Sequence, residues 1–208
     1  IPCYVLFDLC SYWSHRISHE NRFFWASHIV HHSAETYNLT VSFRLSWIQN
    51  IKIIFFIPLA LIGFHPLVFF VVSQISVLFQ FWVHTEYIKK MHPIFEYIFA
   101  TPSNHRVHHG CNEKYLDKNY GDMFTFWDRI FGTFQEEEEK PKYGLTHPLK
   151  SYSFLWQHFH YYFEIYELWK RSKGFKARWR AVFGSPAAMD QDIRPMLEKK
   201  FLQDKTDR

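Results

Sequence analysis

Nine of the chain's 14 histidines stand in four places whose spacing is that of metal ligands. His15 and His19 form an H-x-x-x-H, and His28, His31 and His32 form an H-x-x-H-H. His84 ends an apolar run, and His105, His108 and His109 repeat the H-x-x-H-H. Residues three and four apart share one helix face, with Cβ atoms roughly 5–6 Å apart. Each multi-histidine group can therefore aim two or three imidazoles at one point. Neutral imidazole is the commonest metal ligand among side chains and suits iron, zinc, copper and nickel. An isolated histidine such as His65 or His92 is ordinarily a surface or hydrogen-bonded residue. His158 and His160, two apart, point away from each other on a helix and are left outside the site. Two copies of H-x-x-H-H beside an H-x-x-x-H predict a metal centre.

Nine imidazoles are too many for one ion, because four to six ligands fill a first shell. Two ions, each taking about four histidines, is the economical solution. Structural zinc favours cysteine or mixed ligands, and Cys3, Cys10 and Cys111 are too widely separated to provide them. The H-E-x-x-H of a zinc protease is absent, and a bis-histidine haem needs far fewer than nine ligands. Two irons would explain both the number of ligands and a membrane setting. Such a centre activates O2 and removes hydrogen from an unactivated C–H bond, of which a lipid chain is the obvious source.

The elements that position these residues read as helices. Ile1 to about Trp13 is the end of one, and Asp8, Tyr12, His15 and His19 follow a 4-3-4 spacing that puts them on one stripe. A second helix covers Asn21 to Ala34. Two apolar runs follow, Ile51–Phe64 and Pro66–Val83, separated by Gly63-Phe64-His65-Pro66. The second run approaches the length of a membrane span, and the first does so when extended back to Leu45, with Lys52 snorkelling near one end. The Gly/Pro break predicts a hairpin. Two crossings return the chain to one face, where all nine histidines can meet. Arg44, Lys89 and Lys90 lie at that face, which marks it as cytoplasmic. The fold class expected is an all-α integral membrane helical bundle, with a cytosolic-side helical cap carrying the dimetal site.

Aromatics make up 21% of the 208 residues and glycine is scarce, which suits helices in or on a membrane. The net charge of +4 comes with basic residues at the flanks of apolar runs and in the C-terminal part, a placement that suits anionic lipid. No nucleic-acid motif stands out. Three cysteines without a C-x-x-C pair argue against a disulfide framework. The apolar stretch Ile1–Cys10 is too short to cross a bilayer, so one or more N-terminal membrane helices are expected to precede it. Residues 1–150 read as the metal domain and 151–208 as an amphipathic, interfacial helical extension. In that extension Phe154–Arg171 is aromatic-rich, and Lys173–Arg180 mixes Lys and Arg with Phe175 and Trp179. Asp117–Gly121 reads as a turn, Phe124–Phe134 as a short aromatic helix, and Glu136–Glu139 as a solvated loop.

The order of the boxes resembles the membrane fatty acid hydroxylase/sterol desaturase superfamily, and within it the alkylglycerol monooxygenase-like branch. The resemblance is carried by Asp8–Glu20 (DLCSYWSHRISHE), His28–Asn38 (HIVHHSAETYN), Phe81–Tyr87 (FWVHTEY), Thr101–Gly110 (TPSNHRVHHG) and Asp117–Phe134 (DKNYGDMFTFWDRIFGTF). It implies a non-haem di-iron oxygenase with His15, His19, His28, His31, His32, His105, His108 and His109 as ligands, and His84 as a further one. Where relatives often carry a histidine, this chain has Asn104, and His92 is a weak substitute for another. Asp8 and Glu20 are the candidate catalytic carboxylates, acting through the ligands' second N–H groups. Trp127, Asp128 and Arg129 are expected to pack and to form an ion pair. The activity implied is hydroxylation of a lipid C–H bond, with desaturation as a related outcome. Beside an ether oxygen, hydroxylation gives a hemiacetal that collapses to an aldehyde and an alcohol. The partners implied are the membrane, a lipid substrate, and a reduced pterin or electron-transfer protein as reductant. The competing class is a membrane metal-binding or transport protein without redox catalysis; transport predicts charged residues lining the spans, which Ile53–Phe64 and Pro66–Val83 lack.

Overall fold

The computed structural model describes residues 1–202, and among these the regular structure is helical. Helix α1 (Pro2–Glu20) runs into α2 (Arg22–His32) through one residue, Asn21. Asn21 is extended, so it ends α1, and its side chain accepts from Phe23 N, so it also caps α2. The next helices are α3 (Ile57–Ile62), α4 (Pro66–Trp82), α5 (Pro93–Ile98), α6 (Pro102–His108) and α7 (Phe126–Phe131). Then come α8 (Phe154–Arg171), α9 (Phe175–Phe183) and α10 (Ile193–Leu202). Proline opens α1, α4, α5 and α6, where its missing N–H costs nothing and its φ is already helical.

The expected hairpin turn is present. Gly63 takes a left-handed φ of 94° that closes α3, and His65 caps α4 by accepting from Leu67 N. The first apolar run differs from expectation. It is a 3-10 segment, Gln49–Phe56, followed by the six-residue α3. Pro58 withdraws a backbone donor there, and the β-branched run at Ile51, Ile53, Ile54 and Ile57 favours no long α-helix. With 17 residues α4 extends about 25 Å, against a hydrocarbon core of ~30 Å. Among the described residues no helix is long and apolar enough to cross a membrane.

α1 packs against α2, the 3-10 segment, α3 and α4, and Cys3, Phe7, Leu59 and Val72 close one core there. α2 is shared by two layers. Ala26, Ile29 and Val30 on one face bury against Tyr161 and Ile165 of α8, while His28, His31 and His32 project from the other. α8 begins and ends where the sequence predicts, and α9 and α10 pack on it, with Trp156, Ile193 and Leu197 forming a third core. The segment read as an interfacial extension therefore backs the helix that carries the central histidine box.

Candidate metal centre

The nine predicted histidines converge. His15 and His19 come from α1, His28, His31 and His32 from α2, His84 from just beyond α4, and His105, His108 and His109 from α6 and its C-terminus. They divide into a five-membered group (His15, His19, His28, His32, His108) and a four-membered group (His31, His84, His105, His109). Within each group the ligand atoms all lie within 4.8 Å of one another. The residues of one box are thus split between groups, because three and four residues along a helix aim at neighbouring but distinct points.

Four rings have their tautomer set by a backbone carbonyl. Nδ1 of His15 donates to Tyr120 O (3.0 Å), of His31 to Val41 O (3.2 Å), of His84 to Gln80 O (2.6 Å) and of His108 to Lys118 O (2.9 Å). Each of these rings, when neutral, turns a bare lone pair at Nε2 toward its neighbours. The Nε2–Nε2 separations are 3.0 Å for His15–His28, 3.3 Å for His28–His32 and 3.2 Å for His32–His108 in the first group. They are 3.3 Å for His31–His84 and 3.0 Å for His84–His105 in the second. His31 and His84 have both already committed their Nδ1 protons, so the contact between them is two acceptors face to face. Nitrogens held ~2.1 Å from a common ion stand ~3.0–3.4 Å from each other. The residues therefore fit two metal ions, one per group.

Electrostatics agree with that fit. Burial is the first cause that holds His15, His19, His28, His31, His32, His105 and His109 well below the usual imidazole range, and neighbouring imidazoles add to it. Burial also lowers His84 and His108 to about 4. All nine are neutral at pH 7 and free to coordinate. Nε2 of His19 and of His109 is buried and has no hydrogen-bond partner. Lys52, expected to reach away toward solvent, instead acts on this centre: its ammonium further depresses His15, His19, His28, His31 and His108.

The two candidate carboxylates are placed differently. Asp8 is fully buried and accepts from Met123 N (2.8 Å) and Trp127 Nε1 (2.9 Å), so it binds the α7 region to α1 rather than touching a histidine. Glu20 is exposed and paired with Arg16 at 2.8 Å. From there a hydrogen-bonded chain runs inward: Arg16 Nη1 donates to the Tyr12 hydroxyl (3.2 Å), which meets Thr133 Oγ1 (2.9 Å), which donates to Asp128 (2.7 Å). Asp128 accepts from the backbone N–H groups of Tyr120 (2.7 Å) and Gly121 (2.8 Å) and so fixes the carbonyl that holds His15. Gly121 must lack a side chain, because a Cβ would collide with the Phe124 backbone carbonyl as well as with that carboxylate. The expected ion pair at Arg129 is replaced by stacking, with its guanidinium 3.5 Å from the Phe134 ring centre and 4.4 Å from that of Tyr97.

Several supports carry no sequence motif of their own. Asn104 gives its amide to Glu96 O and Phe99 O, and His92 caps α5, so neither joins the histidine groups. The four-acid run does more than meet solvent: half-buried Glu137 pairs with buried Arg106 at 2.6 Å, and Arg106 also donates to Thr85 O and Ile88 O. That pair ties α6 to the segment following His84. A cavity of about 430 Å3 opens onto His19, His32, His108 and His109.

Comparison with known proteins adds to this geometry. Residues 1–133 match the fatty acid hydroxylase family model. Over 180 residues, 86% of this chain and 40% of the relative, the chain is 44% identical to alkylglycerol monooxygenase of Homo sapiens. It is 43% identical over the same length to alkylglycerol monooxygenase of Danio rerio. It is 30% identical over 132 residues, 62% of this chain, to an ornithine lipid hydroxylase of Rhizobium tropici. The chain thus spans about 40% of the length of these relatives. No solved structure matches it. With the boxes in family order and their imidazoles gathered into two groups, the chain belongs to the fatty acid hydroxylase family.

Proposed function

We propose that this chain is the catalytic part of a membrane-bound non-haem di-iron oxygenase that hydroxylates a C–H bond of a lipid. The observation that carries the reading is the pair of all-histidine groups, with Nε2 lone pairs converging at the spacing of ligands around an ion. The names of the relatives, alkylglycerol monooxygenase and ornithine lipid hydroxylase, support an oxidised lipid. Iron bound at both groups would supply O2 activation and removal of hydrogen from an unactivated C–H bond. In this reading His15, His19, His28, His32 and His108 hold one ion, and His31, His84, His105 and His109 the other. Carbonyls of Tyr120, Val41, Gln80 and Lys118 fix ring orientation, and Asp128, through the chain that ends at Glu20, fixes the Tyr120 carbonyl. Asp8 is a positioning residue for the same region.

The net reaction joins the lipid C–H, O2, two electrons and two protons to give the alcohol and water. In an alkyl ether lipid the carbon beside the ether oxygen is the target, and the resulting hemiacetal separates into aldehyde and alcohol. Sterol and fatty acyl substrates, and desaturation, use the same ligand set. The electrons come from outside the chain, from a reduced pterin or an electron-transfer protein. Exposed apolar side chains along α3 and α4, Leu61, Ile62, Leu67 and Leu78 among them, support insertion of this hairpin in a bilayer. Arg44, Lys89 and Lys90 support a cytoplasmic site.

The test is metal content and Mössbauer spectroscopy of the full-length protein, purified anaerobically and reconstituted with ferrous iron. Two irons per chain with a coupled, O2-sensitive signal is the expected result, followed by turnover of an alkyl ether lipid. A single metal, or zinc that iron cannot replace, would overturn the di-iron reading and favour a metal-binding or transport protein.

A further inference from the structure

Three oxidisable aromatic rings run outward from the five-histidine group. The Tyr120 ring lies against three of its imidazoles, with ring centres 5.3 Å from His19, 5.8 Å from His15 and 5.9 Å from His108. Tyr12 stands edge-on to Tyr120 at 6.1 Å, and Trp13 stands edge-on to Tyr12 at 5.6 Å. Both separations are those of aromatic rings in contact. Tyr120 and Tyr12 are fully buried, whereas Trp13 is 38% exposed, so the series begins at the metal centre and ends at the surface. Phe131 packs on Tyr12 and on Trp13 and fixes both rings, but phenylalanine is too hard to oxidise to be a step itself.

The surroundings suit loss of an electron. The Tyr12 hydroxyl meets Thr133 Oγ1, which donates to Asp128, so the phenolic proton can shift toward that carboxylate and return. The Arg16 guanidinium lies 5.5 Å from the Trp13 ring centre. Its charge opposes a second positive charge on the indole, and so drives an oxidised Trp13 to release its N–H proton. Phenols and indoles yield electrons only to strong oxidants. Ordinary reduction of ferric iron does not draw on them; an O2-oxidised centre that meets no C–H bond does.

We propose that Trp13, Tyr12 and Tyr120 form a protective electron path, which carries one electron at a time from the surface to the five-histidine group when O2 has oxidised that centre with no substrate in reach. The proposal rests on the di-iron oxygenase reading. The metal centre gains the electron and Trp13 loses it. The indole N–H bond breaks, its proton passes to water, and a neutral indolyl radical remains. Tyr12 recovers its proton as the electron arrives from Trp13. A thiol or ascorbate-type reductant in solution then returns one hydrogen atom to Trp13. Without the path, the same oxidising power falls on the ligand imidazoles.

The experiment uses full-length protein in nanodiscs, reconstituted with ferrous iron and exposed to O2 with and without an alkyl ether lipid. Freeze-quenched samples are read by electron paramagnetic resonance, and aged samples by peptide mass spectrometry. Without lipid, the wild type is expected to show an aromatic radical and to gain oxygen at Trp13. Trp13→Phe is expected to lose that mark, to gain oxidation at the histidines and to inactivate several-fold faster. Its metal content and its turnover with lipid should match the wild type. Trp13→Tyr, close to phenylalanine in shape but oxidisable, is expected to restore survival, whereas a packing role would treat the two alike. Equal survival of Trp13→Phe and wild type overturns the path. So does oxidation confined to Trp25, which touches His19 and His32 but lies outside the series. O2 consumption only when lipid is present overturns the path alone, and no consumption in either case overturns the oxygenase reading together with it.

Discussion

His31 and His84 show how much a pair of side chains can say about a metal site. Their Nδ1 protons are already given to Val41 O and Gln80 O, and their Nε2 atoms still approach to 3.3 Å. Protonating either ring would relieve the repulsion, but burial opposes it, holding His84 near 4 against an ordinary 6.5. An ion between the rings satisfies both. The same depression sets a pH dependence. The unfolded chain titrates these histidines near their ordinary value, the folded chain only near 4 at His84 and His108. Between those values the unfolded state binds more protons, so stability rises with pH. Metal-free protein is therefore expected to keep its full histidine-linked stability above about pH 6.5 and to lose it as pH falls toward 4. Bound metal should leave in the same window, because protons compete for the same nitrogens. Thermal melts and metal content across pH 7.5 to 4 check this; a melting temperature flat through the window would contradict it.

Among the elements, the turn around residues 117–121 matters more than its length suggests. Asp117 and Asn119 adopt positive φ, at 58° and 55°, which curls the chain so that the Lys118 and Tyr120 carbonyls face His108 and His15. Asp128 holds this turn from α7 by accepting from two backbone N–H groups and the Thr133 hydroxyl. Asp128→Ala is expected to leave those buried donors unanswered and to cost about 2–4 kcal/mol of stability. Released from its carbonyl, His15 should bind metal roughly 10–100-fold more weakly, the usual effect of losing such a support. Chemical denaturation and zinc titration against a competing chelator separate the two effects. If the affinity is unchanged, the turn holds the fold but not the ligand. On the opposite side of α6, the Arg106–Glu137 pair performs a comparable tethering task, with exposures of only 5% and 16%.

At the scale of the whole molecule, the two apolar runs leave a surface unlike that of a water-soluble protein. Leu61 is 81% exposed and Leu78 72% exposed, with Leu67 and Phe70 also open along the same hairpin. Contiguous apolar surface of this kind marks a partner or a bilayer. Serine at Leu61, Leu67, Phe70 and Leu78 together is expected to reduce pelleting with lipid vesicles several-fold while leaving metal content intact, since none of the four lines either histidine group. Unaltered pelleting would overturn the insertion of this hairpin in a bilayer.

The histidine boxes, the Gly63–Pro66 turn and the full extent of α8 were legible because each is a local pattern. Helical spacing, a residue tolerant of positive φ and a terminal proline all act within a few positions. Other features were illegible for equally physical reasons. The first apolar run looks like a span by hydropathy, but its backbone breaks into a 3-10 segment and a short helix near Pro58. The acceptors that orient the rings are carbonyls, and a carbonyl is present at every position, so composition cannot single out Tyr120 or Gln80. Partition of nine imidazoles into groups of five and four depends on how α1, α2 and α6 cross. The C-terminal wall of the cavity depends on α8 burying Tyr161 and Ile165 against α2, more than a hundred residues away. Side-chain chemistry is written one residue at a time, whereas the place where separate elements meet is set by packing that no short stretch contains.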